Sequence, residues 1–197
     1  MQLRYDAIDA HLAKGLAAMY VISSDEHLLV QETADKIRKV AKAQDFLERE
    51  VLTVERYFKW GELLATNQSQ SLFGDKKFID LRMPTGKPGK DGSAALQEYV
   101  RDLSPDNITL ITLPKLDWAT QKASWVSMLL QAAVYIDIPL IERAALPNWI
   151  GQRLGAQGQS ADRQSLEFIA DRVEGNLLAA HQEIQKLGLL HPQGKLS

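Results

Sequence analysis

The chain is expected to fold as an α/β domain built on a parallel sheet between helical layers, followed by a small helical unit. Two observations lead there. Short apolar runs suited to buried strands alternate with longer segments whose apolar residues recur at helical spacing. That alternation stops after Pro139, and only helical patterns follow. Strands separated by helices are joined by crossovers, which place them parallel and are right-handed.

Taken in order, Asp6 is placed to cap a short helix that reaches Lys14 and ends at Gly15. Residues 18–22, Ala-Met-Tyr-Val-Ile, then read as a buried strand. Over 26–44 the positions Leu29, Ile37, Val40 and Ala41 keep helical spacing, with Asp25 as the cap of the first turn. A strand is expected over 51–54, a helix carrying Leu63 and Leu64 over 60–67, and an alternating strand over 77–81. The stretch 84–92, Pro-Thr-Gly-Lys-Pro-Gly-Lys-Asp-Gly, has the composition of an exposed loop. Helix 93–102, strand 107–113, helix 119–130 and strand 134–138 complete the alternation. Beyond it, helices are expected over 147–156, 161–173 and 177–190, broken by Gly158, Gly175 and Asn176 and closed by Pro192-Gln193-Gly194. Trp60, Trp118, Trp125 and Trp149 fall on helices and are expected to be packing residues rather than a base-stacking platform.

The 197 residues, 45% of them hydrophobic, suffice for one large domain or a medium one with a small companion. With 23 basic against 25 acidic side chains there is no overall positive field to announce a nucleic-acid binder. Cysteine is absent, which excludes disulfides, thiolate zinc sites and thiol catalysis. No apolar run approaches the ~18 residues of a membrane span, and the start of the chain does not read as a signal peptide. A cytoplasmic location without membrane contact is the expectation.

In a parallel sheet, the loop from the first strand to its helix is where a glycine-rich phosphate cradle would sit. Here it reads Ser23-Ser24-Asp25-Glu26-His27-Leu28, with no glycine, no lysine and two carboxylates that repel phosphate. An acidic pair to hold metal at a strand end is missing as well, since 110–115 ends in Pro114-Lys115. An active nucleotide site with an unusual loop would have to use Thr33 or Lys36. His11, His27, His181 and His191 are scattered without ligand or catalytic spacing and read as surface residues. Asp25-Glu26 read as capping residues in preference to an acid/base pair. No catalytic residue, cofactor site or metal site is expected.

Leu72 and Phe73 stand side by side in the otherwise polar run 68–77. Adjacent helical residues point about 100° apart, so both cannot sit centrally on one narrow buried face. The pair either closes the core over the end of the sheet or forms an exposed anchor for a partner's hydrophobic pocket. Lys76, Lys77, Lys87 and Lys90 around the loop offer a further reading, direct contact with DNA phosphates, against which stands an ordinary solvated loop.

Tyr20-Val21-Ile22-Ser23-Ser24-Asp25-Glu26-His27-Leu28-Leu29-Val30-Gln31-Glu32, Gln70-Ser71-Leu72-Phe73, Trp118 with Trp125, Glu174-Gly175-Asn176-Leu177-Leu178-Ala179 and the closing Pro192-Gln193-Gly194-Lys195-Leu196 resemble, in order and spacing, the delta subunit of the bacterial DNA polymerase III clamp loader. The resemblance implies a RecA-like domain of the AAA+ class over 1–140, without a functional P-loop, and a three-helix lid domain over 141–197. It implies that Leu72 and Phe73, flanked by Gln70 and Ser71, enter a hydrophobic pocket of the beta sliding clamp, and that contact nearby opens the ring for loading onto primed DNA. The other implied partners are the gamma/tau ATPase subunits and delta prime, within a polymerase holoenzyme to which this subunit contributes no catalysis. One departure is that the general clamp-binding peptide reads Q-L-S-L-F, whereas here the leading Gln is displaced to Gln68, which implies weaker affinity. Another is that the family continues into a helical collar domain, so the chain is expected to be a fragment that assembles poorly with the other loader subunits.

Overall fold

The computed structural model describes residues 1–69, 76–173 and 175–196. The chain divides into two compact units, residues 1–25 with 29–139, and residues 26–28 with 140–197. In the first, six strands form one sheet in the order β1 (Gln2–Arg4), β6 (Val134–Asp137), β2 (Met19–Ser23), β5 (Asn107–Leu113), β4 (Lys77–Arg82), β3 (Glu48–Thr53). Every neighbouring pair is parallel, with Tyr20 facing Leu110 on one side and Val134 on the other. All strand starts therefore lie along one edge of the sheet and all strand ends along the opposite edge. The helices of this unit are α1 (Ile8–Leu12), α2 (His27–Ala43), α3 (Trp60–Gln68), α4 (Gly89–Arg101), α5 (Trp118–Gln121) and α6 (Ser124–Ala132).

The central strands β2 and β5 are covered on both faces, which is why neither shows a polar, solvent-facing side. On one face Met19, Val21, Ile79, Leu81 and Ile111 pack with Leu63, Leu96, Tyr99, Trp125 and Leu129 from the helices. Each such side chain contributes about 1.5–3 kcal/mol when fully buried. Tyr99 keeps its polar end satisfied by a 2.6 Å hydrogen bond between its hydroxyl and Thr109 Oγ1, and burial pushes the phenol up to about 12. The opposite face carries Asp80, and Arg38 of α2 reaches it at 2.9 Å.

Several expectations need correction. Gln2–Arg4 is a strand, paired with β6, and β3 begins at Glu48 instead of Val51. Both are edge strands with one solvated side, so their polar residues hide the apolar pattern. Asp6 does not cap a helix: it pairs with Arg4 at 2.8 Å, beside a turn of tighter helix over Tyr5–Ala7. The stretch 84–92 is not all loop, because α4 begins at Gly89. Gly92 lies inside that helix, where a Cβ would come within 2.4 Å of the Trp60 ring. Its presence reflects lack of space rather than chain freedom.

In the second unit α7 (Leu146–Ala156), α8 (Arg163–Val173) and α9 (Leu177–Leu190) pack around Trp149, Ile150, Leu154, Ala170 and Ile184. Asn176 caps α9, its side-chain oxygen accepting from Ala179 N at 2.9 Å. The helical reading of this region omitted a short parallel ladder of β7 (Gln159–Ser160) with β8 (Gly194–Lys195). Buried Gln159 donates through Nε2 to the carbonyls of Leu187 and His191, both at 3.0 Å, which ties the ladder to the end of α9.

Candidate functional site

At the edge where the strands end, the loop after β2 is tied to its neighbours by its own side chains. Ser23 Oγ donates to Pro114 O at 3.0 Å and Ser24 Oγ to Ile138 O at 2.7 Å. The Asp25 carboxylate accepts from Lys115 N at 3.0 Å, and Ile138 N donates to Ser23 O at 3.1 Å. Asp25 thus bridges to the segment after β5, and the expected helix cap is not what its carboxylate does. Where a phosphate cradle would offer free backbone N–H groups on glycines, this loop presents hydroxyls already bound to carbonyls and an anionic side chain. Tyr135, half-buried beside it, has its phenol pushed up by burial, with Ser23 acting in the other direction. Thr33 is buried, and Lys36 is held by Asp9 at 2.6 Å, so neither is available for the phosphate role considered for it.

At the edge where the strands begin, α3 leads into the segment that precedes β4. The candidate residues Gln70, Ser71, Leu72 and Phe73 lie outside the described residues. Ser69 N donates to Ala65 O at 2.8 Å, which ends α3, and Ser69 Oγ accepts from Lys77 Nζ at 2.7 Å. The Lys77 side chain is only 4% exposed and lies 3.6 Å from Glu48 and 3.9 Å from Glu50. Asn67, also buried, donates to Asp102 O at 2.7 Å and accepts from Asn107 Nδ2 at 3.2 Å. Thr66 Oγ1 donates to Glu50 at 3.0 Å. A buried polar network thus fixes the end of α3 and the start of β4.

The lysines considered for DNA do not act together. Lys77 is buried in this network, Lys76 lies over the Phe46 ring at 5.2 Å, and Lys87 and Lys90 are exposed. Trp125 and Trp149 are packing residues as expected, but Trp118 is 72% exposed with Lys122 Nζ 3.4 Å above its ring. It sits on a helix of one turn, too short to turn a face inward. His11 is not a free surface residue, since its ring is 3.2 Å from the Tyr20 hydroxyl. Among the described residues no three His, Asp or Glu side chains are grouped to hold a metal ion, and no helix is long and apolar enough to cross a membrane.

Sheet order, parallel pairing and the tied loop define an α/β domain on a six-stranded parallel sheet whose loop after β2 carries no glycine and no lysine. Residues 20–139 match the family model described as DNA polymerase III, delta subunit. The chain belongs to the DNA polymerase III delta subunit family. It is 32% identical to DNA polymerase III subunit delta of Haemophilus influenzae over 98% of this chain and 56% of that protein. To the Escherichia coli subunit it is 29% identical over 100% of this chain and 57% of the relative. The chain thus spans a little over half the length of these curated relatives. Its fold resembles the Bacillus subtilis DNA clamp loader delta protein, with a TM-score of 0.70 at 19% identity over 98% of this chain and 59% of that one. It also resembles Thermotoga maritima RuvB, with a TM-score of 0.56 at 13% identity over 96% and 62%.

Proposed function

We infer that this chain is the clamp-binding part of a clamp-loader delta subunit, using Leu72 and Phe73 as hydrophobic anchors and Gln70 and Ser71 as their polar flank. Membership of the delta family is the observation that carries this reading, because it gives the two adjacent apolar side chains a pocket to fill. On this reading the first unit is a RecA-like AAA+ module and the second its lid. The beta sliding clamp is the direct partner, with the gamma/tau subunits, delta prime and primed DNA engaged through the whole loader. The Ser69–Lys77 bond supports it further, since an anchor held at both ends loses less conformational freedom on binding. Distortion of the clamp near the bound anchor is the means by which the ring opens.

The same reading makes the module non-hydrolytic. Ser23, Ser24 and Asp25 occupy the position of a phosphate cradle with hydrogen bonds of their own, and opening that loop for a triphosphate would break them. The deciding experiment is calorimetric titration of the cognate clamp with wild type and with Leu72→Ala/Phe73→Ala. Anchors of this type carry about 2 kcal/mol or more each, so the folded double variant is expected to lose strong binding. Equal binding by both proteins would move the contact elsewhere.

A further inference from the structure

At the start of the strands, Arg38, Lys39 and Lys42 from α2 and Arg49 from β3 surround a groove of about 500 Å3. Its remaining lining includes Phe46, Leu47 and Phe78, with Leu47 56% exposed. Among the described residues Asp35 is the one carboxylate in the lining, and it is engaged by Arg38 at 2.5 Å. Behind the groove, fully buried Asp80 holds Arg38 at 2.9 Å and Arg49 at 2.6 Å, which orients both guanidinium forks. Lys39 and Lys42 have no ion pair among the described residues. This concentration of cations stands on a chain whose net charge is −2. Lys76, over the Phe46 ring, carries the positive surface up to the residue that follows the 70–75 segment.

We propose that this groove is a second contact for the protein that receives Leu72 and Phe73, taking from it an acidic stretch that carries an apolar side chain. The proposal rests on the anchor reading above. Charge sets the sign of the partner, and the apolar lining sets its kind. A nucleic-acid strand is bound by cations spread along an extended track, whereas here they ring a compact hollow lined by phenylalanine and leucine. The negative end of α2 accounts for Lys42 in its last turn. It does not account for an exposed leucine in the same lining as two arginines anchored on a buried carboxylate.

The test titrates the cognate clamp with wild type, Lys39→Glu/Lys42→Glu, Leu47→Asp and Leu72→Ala/Phe73→Ala at low and high salt, with thermal melting to show that each is folded. Lys39 and Lys42 are exposed, so their reversal leaves the fold intact. The lysine variant is expected to bind about tenfold more weakly at ~50 mM salt, with the deficit shrinking at ~500 mM. Leu47→Asp is expected to weaken binding at both. If the lysine variant matches wild type while the anchor variant loses binding, the groove is refuted and the anchor stands. If the anchor variant matches wild type, the anchor reading falls and this proposal with it. Loss of affinity for a fluorescent single-stranded oligonucleotide, with clamp binding unchanged, would overturn the proposal in favour of nucleic acid.

Discussion

Lys77 Nζ donates to Ser69 Oγ at 2.7 Å, joining the residue that ends α3 to the first residue of β4. Replacing Lys77 by Met removes this donor and leaves Glu48 and Glu50 without the cation between them. The expected cost is about 1–3 kcal/mol in urea unfolding, the range for stranding a buried polar group. Because Ser69 and Lys77 flank the proposed anchor, clamp affinity is expected to fall although Leu72 and Phe73 are untouched. Unchanged stability would show that the bond contributes nothing.

Asp80 makes a similar claim on the opposite face of the sheet. Its Oδ2 serves Arg38, Arg49 and, at 3.6 Å, Arg82, while Oδ1 and Arg38 Nε have no hydrogen-bond partner among the described residues. Taking the carboxylate away with Asp80→Ala leaves cations gathered around a buried methyl group. A loss of about 3–5 kcal/mol is expected, as for breaking other buried ion pairs, and denaturant melts would detect it readily. The incomplete satisfaction argues for the low end of that range.

The parallel α/β architecture was legible because β2 reads as an apolar run, β4 as an alternating strand and β5 as a strand rich in β-branched and apolar residues, with helical patterns between them. The strands at the two edges were not, since Gln2–Arg4 and Glu48–Glu50 alternate between solvent and interior and contribute few apolar residues. For the candidate site, the missing glycines and lysine at 23–28 were plain in the sequence. That Ser23, Ser24 and Asp25 bind Pro114, Ile138 and Lys115 was not, because these partners lie about 90 residues or more away and no local pattern marks them. The buried state of Lys77 was equally hidden: a lysine reads as surface until both glutamates and Ser69 are placed around it.

Gly92 gives a direct test of crowding. A methyl group there would meet the Trp60 ring at 2.4 Å and Pro88 Cβ at 2.7 Å. Gly92→Ala is therefore expected to destabilise by about 1–3 kcal/mol through overpacking, although alanine is the better helix former. Trp60→Leu in the same chain should recover part of that loss, and a double-mutant cycle would read the coupling. Strictly additive effects would mean the ring moves aside freely.

Ser24→Ala tests the tied loop. It deletes the 2.7 Å bond to Ile138 O and leaves a buried carbonyl without that donor, which is expected to cost about 1–3 kcal/mol. Magnesium-ATP should not restore the loss, nor should it shift the melting of wild type. A ligand at ~100 times its dissociation constant would stabilise by about 2.7 kcal/mol, a shift easily seen. Nucleotide-dependent stabilisation of wild type would contradict the non-hydrolytic reading.

Tyr99 couples the core to alkaline pH. Its folded-state value is raised from 10.0 to about 12, first by burial, with the Thr109 hydrogen bond acting the other way. A raised value means that the folded protein favours the protonated phenol. Its contribution is therefore fully present below pH 10 and is lost as pH rises through about 12, because the unfolded chain ionises first. Tyr99→Phe has no proton to lose at this position. Its stability, measured by denaturant unfolding across this range, is expected to start below wild type through the missing hydrogen bond and to gain on it steadily above pH 10. Tyr20 and Tyr135, also raised by burial, remain in both proteins and cancel in the comparison. Parallel stability curves for the two proteins would show that the Tyr99 phenol ionises as easily in the fold as outside it.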